Sequence, residues 1–238
     1  MIRRPPRSTL DRSSAASDVY KRQEQATRLV GRRPTHVVLS HYHGDHTGGL
    51  RGTFEGGDLE VIVTDVTREH MLNGNQEGLA EILGNATLLV GRRPTEIDLG
   101  DRSLILVPRR GHTDSDLSIE IPDSSVVFCG DLVWNAMFPN YVDAAPSRLS
   151  QEVRVMRARG ATTYVPGHGP LADNADLDAY IGLLDHLEGA ARAAIDQGMS
   201  AEEAGAVYSL PQGLEDWTLF SPDYFSRAIS SWMVELRA

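Results

Sequence analysis

The chain has 238 residues, 41% of them hydrophobic, enough for a sizeable core in one large domain or two small ones, one being favoured. Its formal net charge of −10 and pI near 5.2 argue against a nucleic-acid partner, which needs a basic face. No apolar run approaches the roughly 18 residues of a membrane span, and the single cysteine, Cys129, excludes an intramolecular disulfide while leaving the compartment, cytoplasmic or periplasmic, open.

Residues 1–23 are basic and Ser-rich, with no hydrophobic periodicity. They lack the roughly 7–15-residue apolar core of a secretory signal, and Asp11 and Asp18 suit a transit peptide poorly. The segment resembles translated sequencing-adapter DNA joined to an incomplete gene. The expectation is a non-native, disordered stretch over 1–23 and one domain over 24–238 that ends in helices.

Ala26, Leu29 and Val30 have the spacing of a helix tail, closed by Gly31 and Pro34. His36–Ser40 reads as a short buried strand, and Gly48-Gly49 as a tight turn. Leu59–Thr64 predicts a second strand and Thr67–Leu83 a helix stopped by Gly84-Asn85. Short strands are expected at Ala86–Val90, Glu96–Leu99 and Ser103–Pro108, with Gly100-Asp101 as a hairpin turn. Leu117–Ile121 alternates, which predicts one wet face. Pro122–Ser125 is a turn, and Ser125–Cys129 a buried strand ending at Gly130-Asp131.

Ser147–Arg159 predicts an amphipathic helix with Leu149, Val153 and Met156 inward. Thr163–Pro166 is the last strand, ending at Gly167-His168-Gly169. Ala175–Gln197 carries Leu177, Tyr180, Ile181, Leu184 and Leu187 on one stripe. Ser200 and Glu203 form a capping box, and Asp223–Leu236 a final helix with Phe225, Ile229, Trp232 and Met233 on its apolar side. The heptapeptide Leu-Val-Gly-Arg-Arg-Pro-Thr occurs at 29–35 and again at 89–95, too little for a structural repeat.

The chemistry-bearing residues follow this frame. His41-Tyr42-His43-Gly44-Asp45-His46 offers four metal-ligand side chains in six residues, and His112, Asp131 and His168 come later. Neutral imidazole and carboxylate suit borderline divalent metals such as zinc. Each candidate lies just past an apolar strand or in a Gly-flanked turn, where side chains gather at a sheet edge.

The order of strand, His-x-His-x-Asp-His, Gly-His-Thr, strand to Gly-Asp, and strand to Gly-His-Gly resembles the metallo-β-lactamase fold superfamily, closely over 36–170 and loosely over 24–238. The resemblance implies an α/β fold, a four-layer αββα sandwich. Its opening strands have little room before His36, so an N-terminal truncation is expected. It also implies that His41, His43 and His112 hold one metal, that Asp45, His46 and His168 hold a second, and that Asp131 bridges them. The implied activity is a hydrolase with a dinuclear zinc-bound hydroxide, oriented by Asp45, acting on an ester, lactone, thioester or β-lactam-like cyclic amide of a small molecule. The alternatives are a mononuclear iron dioxygenase acting on sulfur compounds, or an inactive truncated fragment. His43 speaks against diiron members, which usually carry glutamate there. Acidic groups on the C-terminal helices (Asp176, Asp178, Asp185, Glu188, Glu202, Glu203) lower the glutathione-thioesterase option.

Around this set, Thr113 and Asp116 are expected to support the turn of His112. Cys129 is read as a small buried residue rather than a ligand. Arg109 or Arg110 either meets an anionic substrate group or is a surface charge at a strand end. Trp134, Met137, Phe138 and Tyr141 either wall a pocket or pack the loop after Asp131. His36, His70 and His186 fall outside the pattern and are expected to be packed or solvated.

Overall fold

The computed structural model describes residues 25, 27–50, 60–74, 83 and 88–238. The chain divides into two compact units, 1–89 and 90–238. The expected segment 1–23 and most of the expected helix beyond Gly74 lie outside the described residues.

In the first unit, β1 (His36–Val38) pairs in parallel with β2 (Glu60–Thr64), and β3 (Leu88–Val90) is the neighbour of β2 on its other side. One helical turn, α1 (Gly44–Thr47), follows β1, and α2 (Asp65–Asn73) follows β2 directly. Thr64 caps α2 by accepting from the Thr67 amide at 3.0 Å, so this helix begins before the expected Thr67. Leu39, Leu50, Val61, Val63, Met71 and Leu83 make the core of this unit.

The second unit holds a five-stranded sheet in sequence order: β4 (Thr95–Asp98), β5 (Ser103–Pro108), β6 (Leu117–Ile121), β7 (Val126–Trp134) and β8 (Thr163–His168). β4 to β7 are antiparallel, and β8 runs parallel to β7. A parallel pair needs a long crossover, which α3 (Pro146–Ala158) supplies. Leu149, Val153 and Met156 of α3 are fully buried, as the sequence stripe predicts. Each such side chain contributes about 1.5–3 kcal/mol.

Helices α4 (Asn174–Asp196), α5 (Ala201–Val207) and α6 (Asp223–Arg237) complete the unit. Capping boxes start α4 at Asp173 with Asp176 and α5 at Ser200 with Glu203. The stripe of α4 is Leu177, Tyr180, Leu183, Leu184 and Leu187; Ile181 is only partly buried. Among the described residues, no helix is long and apolar enough to cross a membrane.

Two expectations fail in this sheet. The outer face of β6 is not wet, because Ser118 is buried and Glu120 is covered by arginines. β7 does not end at Gly130-Asp131 but runs on to Trp134, with register shifts against β8 after Phe128 and after Gly130. Such shifts bend a strand and re-aim side chains, a device common beside active sites.

Candidate metal centre

The six-residue cluster lies in the first unit. Leu39 leaves β1 still tied to β2, its amide donating to the Ile62 carbonyl at 3.0 Å. α1 then folds the chain back on itself. The amides of His46 and Thr47 both donate to the His43 carbonyl at 3.1 Å, and the Thr47 hydroxyl donates to it at 3.0 Å. As a result the ring centroid of His41 lies 4.7 Å from that of His43 and 4.3 Å from that of His46. Asp45 Oδ2 is 3.5 Å from His46 Nε2. The Ser40 hydroxyl stands 3.1 Å from Nδ1 of His41 and 3.5 Å from Nδ1 of His46. A hydroxyl on Nδ1 is the kind of outer contact that assigns ligation to Nε2.

His112, Asp131 and His168 lie in the second unit and come from three separate places. His112 sits on the turn between β5 and β6. The Asp116 carboxylate accepts from the His112 amide at 2.9 Å, the Thr113 amide at 3.0 Å and the Thr113 hydroxyl at 2.7 Å. Thr113 and Asp116 therefore hold the turn, as expected. Burial pushes the Asp116 carboxyl up to about 7, against the opposing pull of the Thr113 and His112 donors.

Asp131 projects from β7 just past the irregularity at Gly130. Its Oδ2 is 3.3 Å from His112 Nε2 and 3.5 Å from His168 Nε2, and its side chain is almost fully buried. His168 ends β8, its carbonyl accepting from the Asn135 amide at 3.1 Å. The glycines on either side are required by close approach. A Cβ on Gly167 would overlap Asp131 Oδ1, and one on Gly169, where φ is +96°, would overlap the Asn135 carbonyl.

The remaining candidates resolve as follows. Arg109 is neither a substrate contact nor a surface charge. It is buried, with Nε donating to Ser118 Oγ at 2.6 Å, Nη1 to Glu152 at 2.6 Å and Nη2 to Glu120 at 2.9 Å. Arg110 is exposed. Cys129 is buried, and burial pushes its thiol up to about 12, so it stays protonated at neutral pH. Phe138 and Tyr141 belong to the core of the second unit, so packing is their role. His36 pairs with Glu60 at 3.1 Å. His70 is exposed and stacks on Tyr42 at 4.1 Å; His186 is exposed and bonds Tyr208 Oη at 2.9 Å.

Two residues of these sites escape sequence reasoning. Ser40 and Asn135 carry no signal beyond adjacency to a candidate segment. Trp134 is legible as a large apolar group near Asp131 but not in its actual contact. It stacks on His168 at 4.1 Å, which only the pairing of β7 with β8 creates.

The family model described as the metallo-beta-lactamase superfamily matches residues 10–168. The chain belongs to this superfamily. The metallo-beta-lactamase type 2 of Bacillus cereus is 26% identical over 156 residues, which cover 63% of this chain and 57% of that protein. The hydroxyacylglutathione hydrolase of Rhodospirillum rubrum is 26% identical over 140 residues, covering 59% of this chain and 50% of that protein. The chain thus spans little more than half the length of these superfamily relatives. Among solved structures, the metallo-beta-lactamase from Pontibacter korlensis matches with a TM-score of 0.59 and 22% identity, covering 69% of this chain and 75% of that one. The mixed α/β fold expected from the sequence is therefore the superfamily's fold.

Proposed function

We propose that the protein is a metal-dependent hydrolase that holds two zinc ions and cleaves an ester, lactone, thioester or cyclic amide bond in a small molecule. His41, His43 and His112 would hold one ion and Asp45, His46 and His168 the other, with Asp131 shared. The observation that carries the reading is Asp131, a buried carboxylate whose one oxygen faces the Nε2 atoms of both His112 and His168. A single buried carboxylate between two imidazoles suits a cation on either side better than it suits a protonated pair. The donor set, imidazole and carboxylate throughout, is the one zinc prefers.

When bound, a pair of such cations supplies a water that ionises near neutral pH and a Lewis acid for the scissile carbonyl. The chain's own residues do the rest. Three neutral imidazoles leave a position open for water at the first site. Asp131 offsets cationic charge in a buried setting. Asp45 is exposed beside His46, where its carboxylate can orient the attacking water and accept its proton. Asp116 keeps His112 in place from behind.

The relatives' names bracket two of these bonds, a β-lactam and an acyl-glutathione thioester. Ester and lactone hydrolysis pass through the same tetrahedral oxyanion. The glutathione thioester is the least favoured of the four, because the C-terminal helices carry the acidic groups Asp176, Asp178, Asp185, Glu188, Glu202 and Glu203. Metal quantification on the purified chain, followed by a panel of lactones, esters, thioesters and β-lactams, tests the reading. The expected result is two zinc per chain, with turnover lost on chelation and restored by zinc. One iron per chain with sulfur oxidation, or no metal uptake at all, would overturn it.

A further inference from the structure

β7 and β8 are in register at Trp134 and His168, so the indole of the one meets the imidazole of the other. The rings stack at 4.1 Å between centroids with 30° between planes. Trp134 is almost fully buried, whereas the His168 side chain is 25% exposed, so one face of the imidazole is walled and its edge remains accessible. The next residue, Asn135, completes the grip. Its amide donates to the His168 carbonyl at 3.1 Å, and its side-chain Nδ2 donates to the Leu171 carbonyl at 3.2 Å. The backbone around His168 is thus held by Asn135 and the ring by Trp134.

The indole N–H itself finds no acceptor among the described residues. The contact that Trp134 makes with His168 is through its flat face. An imidazole has two broad rotamer wells about χ2, and a ring stacked on one face removes the turned states that would swing Nε2 away from Asp131 Oδ2, now 3.5 Å distant.

We propose that Trp134 is a positioning residue for His168, and that its stacked face sets the affinity of the second cation while leaving the first unaffected. This rests on the assignment of His168 as a ligand made above. A phenyl ring in place of the indole would serve as well, since only the face is used; an aliphatic side chain would not.

The test is a zinc titration of the metal-free full chain against a competing chelator, with wild type, Trp134→Phe and Trp134→Leu side by side, and tryptophan emission read at each equivalent. Wild type and Trp134→Phe are expected to take two equivalents with similar affinities. In Trp134→Leu the first equivalent binds unchanged and the second on the order of 10–100-fold more weakly, the usual effect of losing an outer-shell partner. In wild type the second equivalent perturbs the indole emission more than the first, since the indole is 4.1 Å from the His168 ring and 6.4 Å from that of His112, and Trp134→Phe loses that change although Trp217 and Trp232 remain. Should Trp134→Leu fail to fold, Trp134→Met is read the same way. Two equivalents of unaltered affinity in the aliphatic variant would overturn the inference and leave the dinuclear reading standing. Fewer than two equivalents in wild type would overturn both.

Discussion

The two groups of candidate ligands are built in opposite ways. In the first unit, four candidate ligand side chains fall within six residues, and one turn of helix closes them together through hydrogen bonds to the His43 carbonyl. In the second unit, His112, Asp131 and His168 come from a turn, a mid-strand irregularity and a strand end, and meet only because β5 to β8 pair as they do. The first group is local and needs little beyond chain connectivity. The second is assembled by topology and depends on supports such as Asp116, Asn135, Trp134 and the glycines flanking His168. Damage to the sheet of the second unit should therefore scatter its ligands, while the first group keeps most of its geometry.

The largest expected effect breaks the second group at its most supported member. His112→Ala removes an imidazole that both faces Asp131 and sits on a dedicated hydrogen-bonded turn. Hydrolysis is expected to fall to background and the first cation to bind more weakly. Full turnover in this variant would contradict the assignment. Next comes the ionic network beneath the same turn. Arg109→Met leaves Glu120 and Glu152 without their buried partner, a loss of about 3 kcal/mol in chemical denaturation. The low end of the usual range applies because Arg159 still pairs with Glu120 and Glu152 is partly exposed. A change below about 0.5 kcal/mol, the level of an ordinary surface substitution, would show that the network contributes nothing to the second unit.

Legibility followed the same division. The His-x-His-x-Asp-His cluster, the inward stripe of α3 and the capping box of Ser200 with Glu203 are local patterns, and each stands where the sequence places it. The partners of Arg109 come from β6 and α3, so nothing near position 109 announces them, and the alternation of β6 reads as a wet face for the same reason. In sequence β7 reads as stopping at Gly130-Asp131 because glycine punctuates strands, yet pairing with β8 carries it to Trp134. The repeated heptapeptide shows the rule directly. Leu29-Val30 is helical with Val30 exposed, whereas Leu89-Val90 lies in β3 with Val90 fully buried. In both copies Gly-Arg-Arg-Pro interrupts the element and the threonine leads into or begins a strand, since proline and glycine act locally. The two apolar residues take whichever partner the surrounding chain offers.

Gly169→Ala sharpens the contrast at smaller cost. The position has φ +96°, and a Cβ there would run into the Asn135 carbonyl, the group next to the amide that holds His168. Forcing an L residue into such a conformation costs about 2 kcal/mol, read as a lowered denaturation midpoint. The second cation should also bind less tightly, while Gly44→Ala in the first group, where an added Cβ meets open space, should leave metal uptake unchanged. Equal effects at the two glycines would erase the distinction between a local and an assembled ligand group.

The smallest effect is expected at Cys129, and it separates packing from ligation within the second group. Cys129 and Asp131 would share a side of an ideal strand, which invites a metal role for the sulfur. β7 is not ideal there: Gly130 has φ +54° and the register with β8 shifts across it. The thiol is buried in the core with Leu132, Val153 and Tyr164, where it fills space between apolar side chains. Cys129→Ala should lose about 1 kcal/mol from the small void and retain the full complement of metal. In the wild type, a disulfide reagent should label the thiol only after unfolding. Metal lost together with the sulfur would place Cys129 among the ligands and show that the strand delivers two adjacent donors rather than Asp131 alone.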